Sequence, residues 1–254
     1  MQETFWAVGG DENRIFISSS FGCQYNCNYC YLKEMGVRGR KIVYSFEQIL
    51  NEINRQEIYI PGKNGSIITV GCYSECMDEF NRETTLKVIQ YFLKKNNYVQ
   101  LSTKKELNKK DLFEIKKCVS FEKQMLFFVS LPTISYADVV EPDIDSVALR
   151  IRNFRIKEDY GMEVYLYIKP FLDDITFKDL NYYIDLIKKY KLEVVVGERM
   201  HLYKGNGEKI IISHTAMVEN SSRDYEKFLD IIKQITNVYQ HSDDVIQKIR
   251  ENSF

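Results

Sequence analysis

Three cysteines, Cys23, Cys27 and Cys30, stand in the run Cys-Gln-Tyr-Asn-Cys-Asn-Tyr-Cys-Tyr, with three residues between the first pair and two between the second. Thiolates are soft ligands that select zinc, Cu(I) or iron-sulfur clusters, and a loop this short can wrap one cubane without long excursions of chain. A full ligand set for a cubane is four. Three local thiolates therefore leave one iron with an open coordination position, which a small molecule carrying an amine and a carboxylate can chelate.

Other uses of the same residues make different demands. A structural zinc site needs four N or S ligands in a closed tetrahedron, usually two Cys-x2-Cys knuckles or one knuckle with histidines. There is no second knuckle, and His201, His214 and His241 lie far from the run without paired ligand spacing, although Cys72 or Cys76 could in principle be a fourth ligand. Six cysteines in 254 residues are sparse for a disulfide framework. The start, Met-Gln-Glu-Thr-Phe-Trp-Ala-Val-Gly-Gly-Asp-Glu, lacks a basic region followed by an apolar stretch. A reducing, cytoplasmic setting is the expectation.

The elements that must position the cysteines can be read from periodicity. Short β-branched or aromatic runs recur at 15–17, 67–70, 98–101, 125–129, 164–168 and 192–196, several of them apolar on both faces as parallel strands covered on each side would be. Helical patterns lie between them. Ser45 with Gln48 forms a capping box ahead of Phe46, Ile49, Leu50 and Ile53; Asn81 is a candidate cap ahead of Leu86, Ile89 and Leu93; Thr176 opens a third stripe of Phe177, Leu180, Ile184 and Ile187. Strand then helix, repeated about six times, predicts an α/β fold, a partial (β/α)6 TIM-like barrel, with a doubly wound open sheet as the alternative. The cysteine run directly follows the first of these strands, and active sites of βα barrels sit at the C-terminal ends of strands.

The chain is long enough for one such domain and has only 4 prolines and 12 glycines, with no Pro-rich or Gly/Ser-rich linker, so one domain over 1–254 is expected, its core over about 13–200. Beyond it, Lys204-Gly205-Asn206-Gly207-Glu208 reads as a hairpin turn, and Phe228, Ile231, Ile232 and Ile235 as a terminal amphipathic helix in an extension over 201–254. With 35 basic and 36 acidic residues there is no global electrostatic footprint for nucleic acid or an anionic membrane. No apolar run approaches a membrane span.

The cysteine spacing, with Tyr29 just before the last ligand, resembles the radical S-adenosylmethionine (radical SAM) superfamily. The segments Tyr29-Cys30-Tyr31-Leu32, Gly71-Cys72-Tyr73-Ser74-Glu75, Ser102-Thr103-Lys104, Val129-Ser130-Leu131 and Glu141-Pro142 look like its spore photoproduct lyase branch, over roughly residues 15–175. The resemblance implies a [4Fe-4S] cluster on Cys23, Cys27 and Cys30, and S-adenosyl-L-methionine contacted by Ser74, Lys104, Ser130 and Tyr29. It implies reductive cleavage of that cofactor to a 5'-deoxyadenosyl radical that abstracts a substrate hydrogen, with electrons from a donor such as flavodoxin or ferredoxin. It also implies that Cys72 returns a hydrogen atom to the product radical, with Tyr29 and Tyr31 relaying the radical toward the cofactor.

Two departures bear on the substrate. The stretch before the cluster run is shorter than in the lyases, and the C-terminal third does not match them convincingly. Arg38, Arg40, Lys41 and the lysines at 104, 105, 109 and 110 could meet phosphates, but the chain is neutral overall. A damaged nucleic acid, a peptide or a small metabolite are the substrate classes that follow. No cysteine follows Cys118, so an auxiliary-cluster region of the peptide-maturase kind is not expected. The reading from another class is a non-catalytic metal-binding module.

Overall fold

A computed structural model describes residues 7–30, 32, 37, 39–40, 42–173, 175–200, 203–204, 210–211 and 222–252. In chain order its elements are β1 (Val8–Gly10), β2 (Arg14–Ile17), β3 (Ser20–Phe21), β4 (Ile42–Val43), α1 (Phe46–Gln56), β5 (Ile67–Val70), α2 (Arg82–Lys94), β6 (Val99–Thr103), α3 (Lys109–Lys116) and β7 (Met125–Ser130). There follow α4 (Ala137–Val140), α5 (Val147–Arg152), α6 (Ile156–Tyr160), β8 (Glu163–Ile168), β9 (Phe171–Leu172), α7 (Leu180–Tyr190), β10 (Val194–Val196) and β11 (Arg199–Met200). The last are β12 (Tyr203–Lys204), β13 (Ile210–Ile211), α8 (Arg223–Lys233), β14 (Val238–Tyr239) and α9 (Ser242–Glu251).

The fold is α/β with one mostly parallel sheet of eight strands, in the order β1-β2-β5-β6-β7-β8-β10-β14. It is consistent with the partial barrel expected from the strand-helix alternation. The chain groups into two compact units: 1–24, 37–127 and 156–163 form one, and 25–36, 128–155 and 164–254 the other.

In the first unit β2, β5 and β6 pair in parallel, Ile17 opposite Val70 and Val70 opposite Leu101, while β1 runs antiparallel to β2. All four residues of β5 are buried, which is what a parallel strand covered on both faces requires. Ser45 does cap α1, its hydroxyl accepting from the Gln48 amide and the Gln48 side chain returning to the Ser45 amide. Ile49 and Ile53 then go into the core. Asn81 stands at the start of α2 but its side chain caps nothing: its backbone is already helical, and its amide nitrogen donates instead to the Glu75 carbonyl at 3.0 Å. The buried stripe of α2 is Val88, Ile89, Phe92 and Leu93, with Leu86 only half-buried.

In the second unit β8, β10 and β14 pair in parallel, Leu166 opposite Val194 and Val194 opposite Val238. Thr176 opens a 3-10 turn over Thr176–Asp179 before α7, and its hydroxyl serves tertiary contacts to Leu172 and Pro132, not a helix cap. The expected hairpin is present as Tyr203 opposite Ile211 and Lys204 opposite Ile210, its turn lying outside the described residues. The expectation of a single terminal helix is corrected. Phe228 of α8 packs on Phe171 and Tyr183 at ring distances of 5.3 and 5.7 Å, and a further strand and helix, β14 and α9, follow. A two-residue strand between Asn237 and Gln240 carries too little periodicity to be read from sequence. No described helix is long and apolar enough to cross a membrane.

Replacing Ser45 with alanine should lower the unfolding free energy by about 1 kcal/mol, the usual worth of an N-cap. Asn81→Ala should lose the Glu75 carbonyl bond without a capping effect. Urea melts of both variants check this, and a Ser45→Ala midpoint equal to wild type would show that the box does not hold α1.

Candidate functional site

In the first unit the loops after β2 and β5 hold Cys23 and Cys72. Gly71 ends β5 with φ of +106°, and a Cβ there would come within 2.8 Å of the Ser102 carbonyl oxygen and 3.1 Å of Cys76 Sγ. Only glycine fits this left-handed, closely approached position. The turn it makes sends Cys72, half-buried, into the loop beyond the strand. The Tyr73 amide donates to Ser18 Oγ at 3.2 Å, and the Tyr73 carbonyl accepts from the Gly22 amide at 3.1 Å. Cys72 and Cys23 are therefore neighbours in sequence of two residues joined backbone to backbone. The Phe21 and Tyr73 rings, 5.8 Å apart edge to face, pack the same junction.

Glu75 is the residue here to which the sequence assigned no role. It is buried, and its carboxylate accepts from the Thr103 hydroxyl, from the Lys104 amide at 2.9 Å and from the Met77 amide at 3.2 Å. This joins the ends of β5 and β6 and sets the backbone of Lys104. Burial pushes the Glu75 carboxyl above its ordinary pKa, and the hydrogen bonds from Thr103 and Lys104 offset only part of that. Arg40 lies over the Phe80 ring at 3.8 Å and 3.7 Å from Asp78. Arg38 and Lys41 lie outside the described residues.

In the second unit the rest of the cysteine run docks on the segment 139–141. The Cys30 amide donates to the Cys27 carbonyl at 3.1 Å, closing a turn that leaves both thiols half-buried. The Asn28 amide donates to the Val140 carbonyl and its side chain to the Val139 carbonyl, each at 2.8 Å. Tyr29 is buried with Val140 and Leu172, with Cys27 and Ile175 packed against them. Its hydroxyl donates to Glu141, and Glu141 pairs with Arg150, whose side chain is 1% exposed and that of Glu141 0%. Arg150 also donates to the Asp145 carbonyl at 2.7 Å and the Ser130 carbonyl at 3.3 Å. Burial first, then the Glu141 charge, holds the Tyr29 phenol well above its ordinary pKa, so it stays protonated. The Glu141–Arg150 pair was not expected from sequence. A helix stripe gives no sign of it, because its partners are Tyr29 and Ser130 from distant segments.

Among the described residues no three cysteine, histidine or carboxylate side chains are drawn tightly enough together to close on a single metal ion. Three thiolates that each take a different iron of a cubane stand further apart than the ligands of one ion. Ser74 and Ser130 are the two serines among the described residues whose hydroxyls are buried without a hydrogen-bond partner. Tyr31, His201 and His214 lie outside the described residues. His241 starts α9, with Nδ1 3.7 Å from Glu198. At the ends of β8 and β10, Lys169 pairs with Glu198 at 2.9 Å and Arg199 with Asp173 through bonds of 2.9 and 2.6 Å. Their position just past parallel strands was the available signal.

No protein-family model and no curated protein matches the sequence. Solved structures do. Spore photoproduct lyase complexed with dinucleoside spore photoproduct matches with a TM-score of 0.64 at 12% identity, over 86% of this chain and 74% of the lyase. A double mutant of the lyase with bound AdoMet and dinucleoside spore photoproduct matches at 0.65 and 13%, over 89% and 76%. Streptococcus suis SuiB bound to S-adenosylmethionine matches at 0.60 and 14%, over 91% of this chain and 51% of SuiB, so this chain spans about half of SuiB. These likenesses show the fold.

Two measurements check the site's energetics. Because the folded-state pKa of Glu75 is raised, its contribution is most favourable at low pH and is lost as pH rises through that pKa. The stability of Glu75→Gln relative to wild type should therefore improve as pH rises from the ordinary carboxylate range, read from urea midpoints at stepped pH. Arg150→Met leaves Glu141 buried and unpaired and should cost about 3–5 kcal/mol. A loss below about 1 kcal/mol would mean the pair is not the anchor its burial makes it.

Proposed function

We propose that this protein is a radical SAM enzyme of the spore photoproduct lyase-like kind, with Cys23, Cys27 and Cys30 holding a [4Fe-4S] cluster and S-adenosylmethionine as the second cofactor. With both bound, reductive cleavage of S-adenosylmethionine supplies a 5'-deoxyadenosyl radical that abstracts a hydrogen atom from the substrate. The observation that carries the reading is the pair of orphaned hydroxyls. Ser74 and Ser130, expected from the strand-end segments that resemble the lyase branch to contact S-adenosylmethionine, are the two serines among the described residues with buried, unpartnered Oγ atoms. A buried hydroxyl without a partner costs about 1–3 kcal/mol, which a bound polar ligand would recover. The donor set fits as well: three soft thiols at half-buried positions on one short loop suit iron and sulfide.

The chain's own residues then have distinct work. Glu75 holds the Lys104 backbone at the end of β6, and the reading assigns Lys104 a cofactor contact. Tyr29 walls the cysteine run as a neutral phenol, a state from which an electron and a proton leave together. To Cys72, half-buried in the loop after β5, this reading assigns transfer of the S–H hydrogen to a carbon-centred product radical, which forms a C–H bond and leaves a thiyl radical. A thiol S–H bond is weaker than most C–H bonds, so the transfer runs downhill. Tyr31 is assigned the second relay position on sequence alone. Between the two fold neighbours the lyase is the better template, because this chain spans three quarters of it and half of SuiB. The substrate class is a damaged nucleic acid on that template, with an electron donor of the flavodoxin or ferredoxin class.

Anaerobically reconstituted and reduced protein should convert S-adenosylmethionine to 5'-deoxyadenosine and methionine, and Cys27→Ala should abolish it. Cys72→Ala should keep 5'-deoxyadenosine formation while substrate conversion stalls or is diverted to side products. No 5'-deoxyadenosine from wild type, or an equal yield from Cys27→Ala, would end the reading.

A further inference from the structure

We propose that the buried Arg150–Glu141 pair is a positioning element that sets the cysteine run and Ser130 together, with Tyr29 as its contact to the run. The inference deepens the radical SAM reading, on which the role of Ser130 rests, but its geometry lies entirely within the second unit.

The chain of contacts is continuous. The Arg150 guanidinium donates to Glu141 and, from the same nitrogen, to the Ser130 carbonyl at 3.3 Å, while Nε donates to the Asp145 carbonyl at 2.7 Å. Glu141 accepts from the Tyr29 hydroxyl with its other oxygen. Tyr29 lies between Cys27 and Cys30, and Asn28 beside it is held by the carbonyls of Val139 and Val140 at 2.8 Å. Three consecutive residues, 139–141, thus grip two consecutive residues of the run. One guanidinium then spans from that grip to the residue whose hydroxyl is buried and unpartnered.

A planar cation with several fixed donors is suited to bridging a carboxylate and carbonyls at once, where lysine would act as a point charge. Taking this ion pair out of water is costly, and a hydrophobic pair of similar volume would serve stability equally well. What apolar residues would not supply is direction: a hydrogen bond fixes the Tyr29 ring along one line, and the shared guanidinium fixes Ser130 relative to it. The pair therefore sets a geometry that apolar residues of equal stability would not.

The test begins with the cofactor-free protein. Tyr29→Phe deletes one oxygen and leaves Glu141 and Arg150 paired, so the fold is kept; Glu141→Gln keeps the shape and removes the charge. Iodoacetamide labelling, resolved by peptide mass spectrometry, should show Cys27 and Cys30 alkylated about tenfold faster in Tyr29→Phe than in wild type, the size expected for losing a hydrogen bond to a charged group. Cys118, remote in sequence, should keep its rate and serves as the control. In the reconstituted, reduced protein, the change of the cluster's electron paramagnetic resonance signal on adding S-adenosylmethionine should reach half-saturation at several-fold higher concentration in both variants. A merely structural role would lower cluster content without moving that midpoint. Cys27 and Cys30 rates within twofold of wild type in folded Tyr29→Phe, or unmoved midpoints, would overturn the proposal. The labelling result stands whether or not wild type forms 5'-deoxyadenosine, so failure of the enzyme reading and failure of this one are told apart.

Discussion

A guanidinium that is 1% exposed has to be answered by a charge, and the way Arg150 is answered organises the second unit. Glu141 neutralises it, the Asp145 carbonyl accepts from its Nε and the Ser130 carbonyl from the nitrogen that faces Glu141, and Tyr29 fills the second oxygen of Glu141. Each of these bonds reaches a different stretch of chain. The helices α4 and α5 are four and six residues long, too short to be stable by themselves, so they depend on this anchor and on Val140 packing with Tyr29 and Leu172. The part of the cysteine run around Asn28 and Tyr29 is held by the same source, because it has no regular structure of its own.

The first unit solves the same problem with a carboxylate in place of a cation. Glu75 is buried without a basic side chain as its principal partner and is held by a hydroxyl and two backbone amides. That arrangement leaves its charge only partly compensated, which is why its proton affinity is raised. A parallel sheet buried on both faces tolerates such groups only at its strand ends, and those ends are where Glu75, Lys104, Ser130 and Lys169 all fall. Ser74 and Ser130 each leave a buried hydroxyl without a hydrogen-bond partner.

Local chemistry was legible in the sequence and distant pairing was not. The Ser45–Gln48 box and the strand runs near 15–17, 67–70, 125–129 and 164–168 follow from residues within one element, and each is present. Asn81 shows the limit: the same residue type at a helix start turns to the Glu75 carbonyl, because tertiary contact outweighs capping. Thr176 behaves alike, giving its hydroxyl to Pro132. Tyr29 was singled out for its place beside Cys30, but Glu141, 112 positions away, and Arg150 carry no pattern that names them as its partners. For the same reason β14 has no local signature, since two residues flanked by Asn237 and Gln240 become a strand only by lying against Val194 and Val195.

That short strand bears on how the chain is made as well as how it stands. β14 borders β10 at one edge of the sheet, yet more than 40 residues separate the two in the chain, and α8 comes between. During synthesis Val194–Val196, three fully buried apolar residues in the finished protein, emerge long before their neighbour. For that interval the nascent polypeptide presents an open, hydrophobic strand edge, the kind of template on which two chains pair wrongly. Slow translation of residues 197–237 would lengthen the exposure, and coverage by a chaperone or early docking of α8 would shorten it.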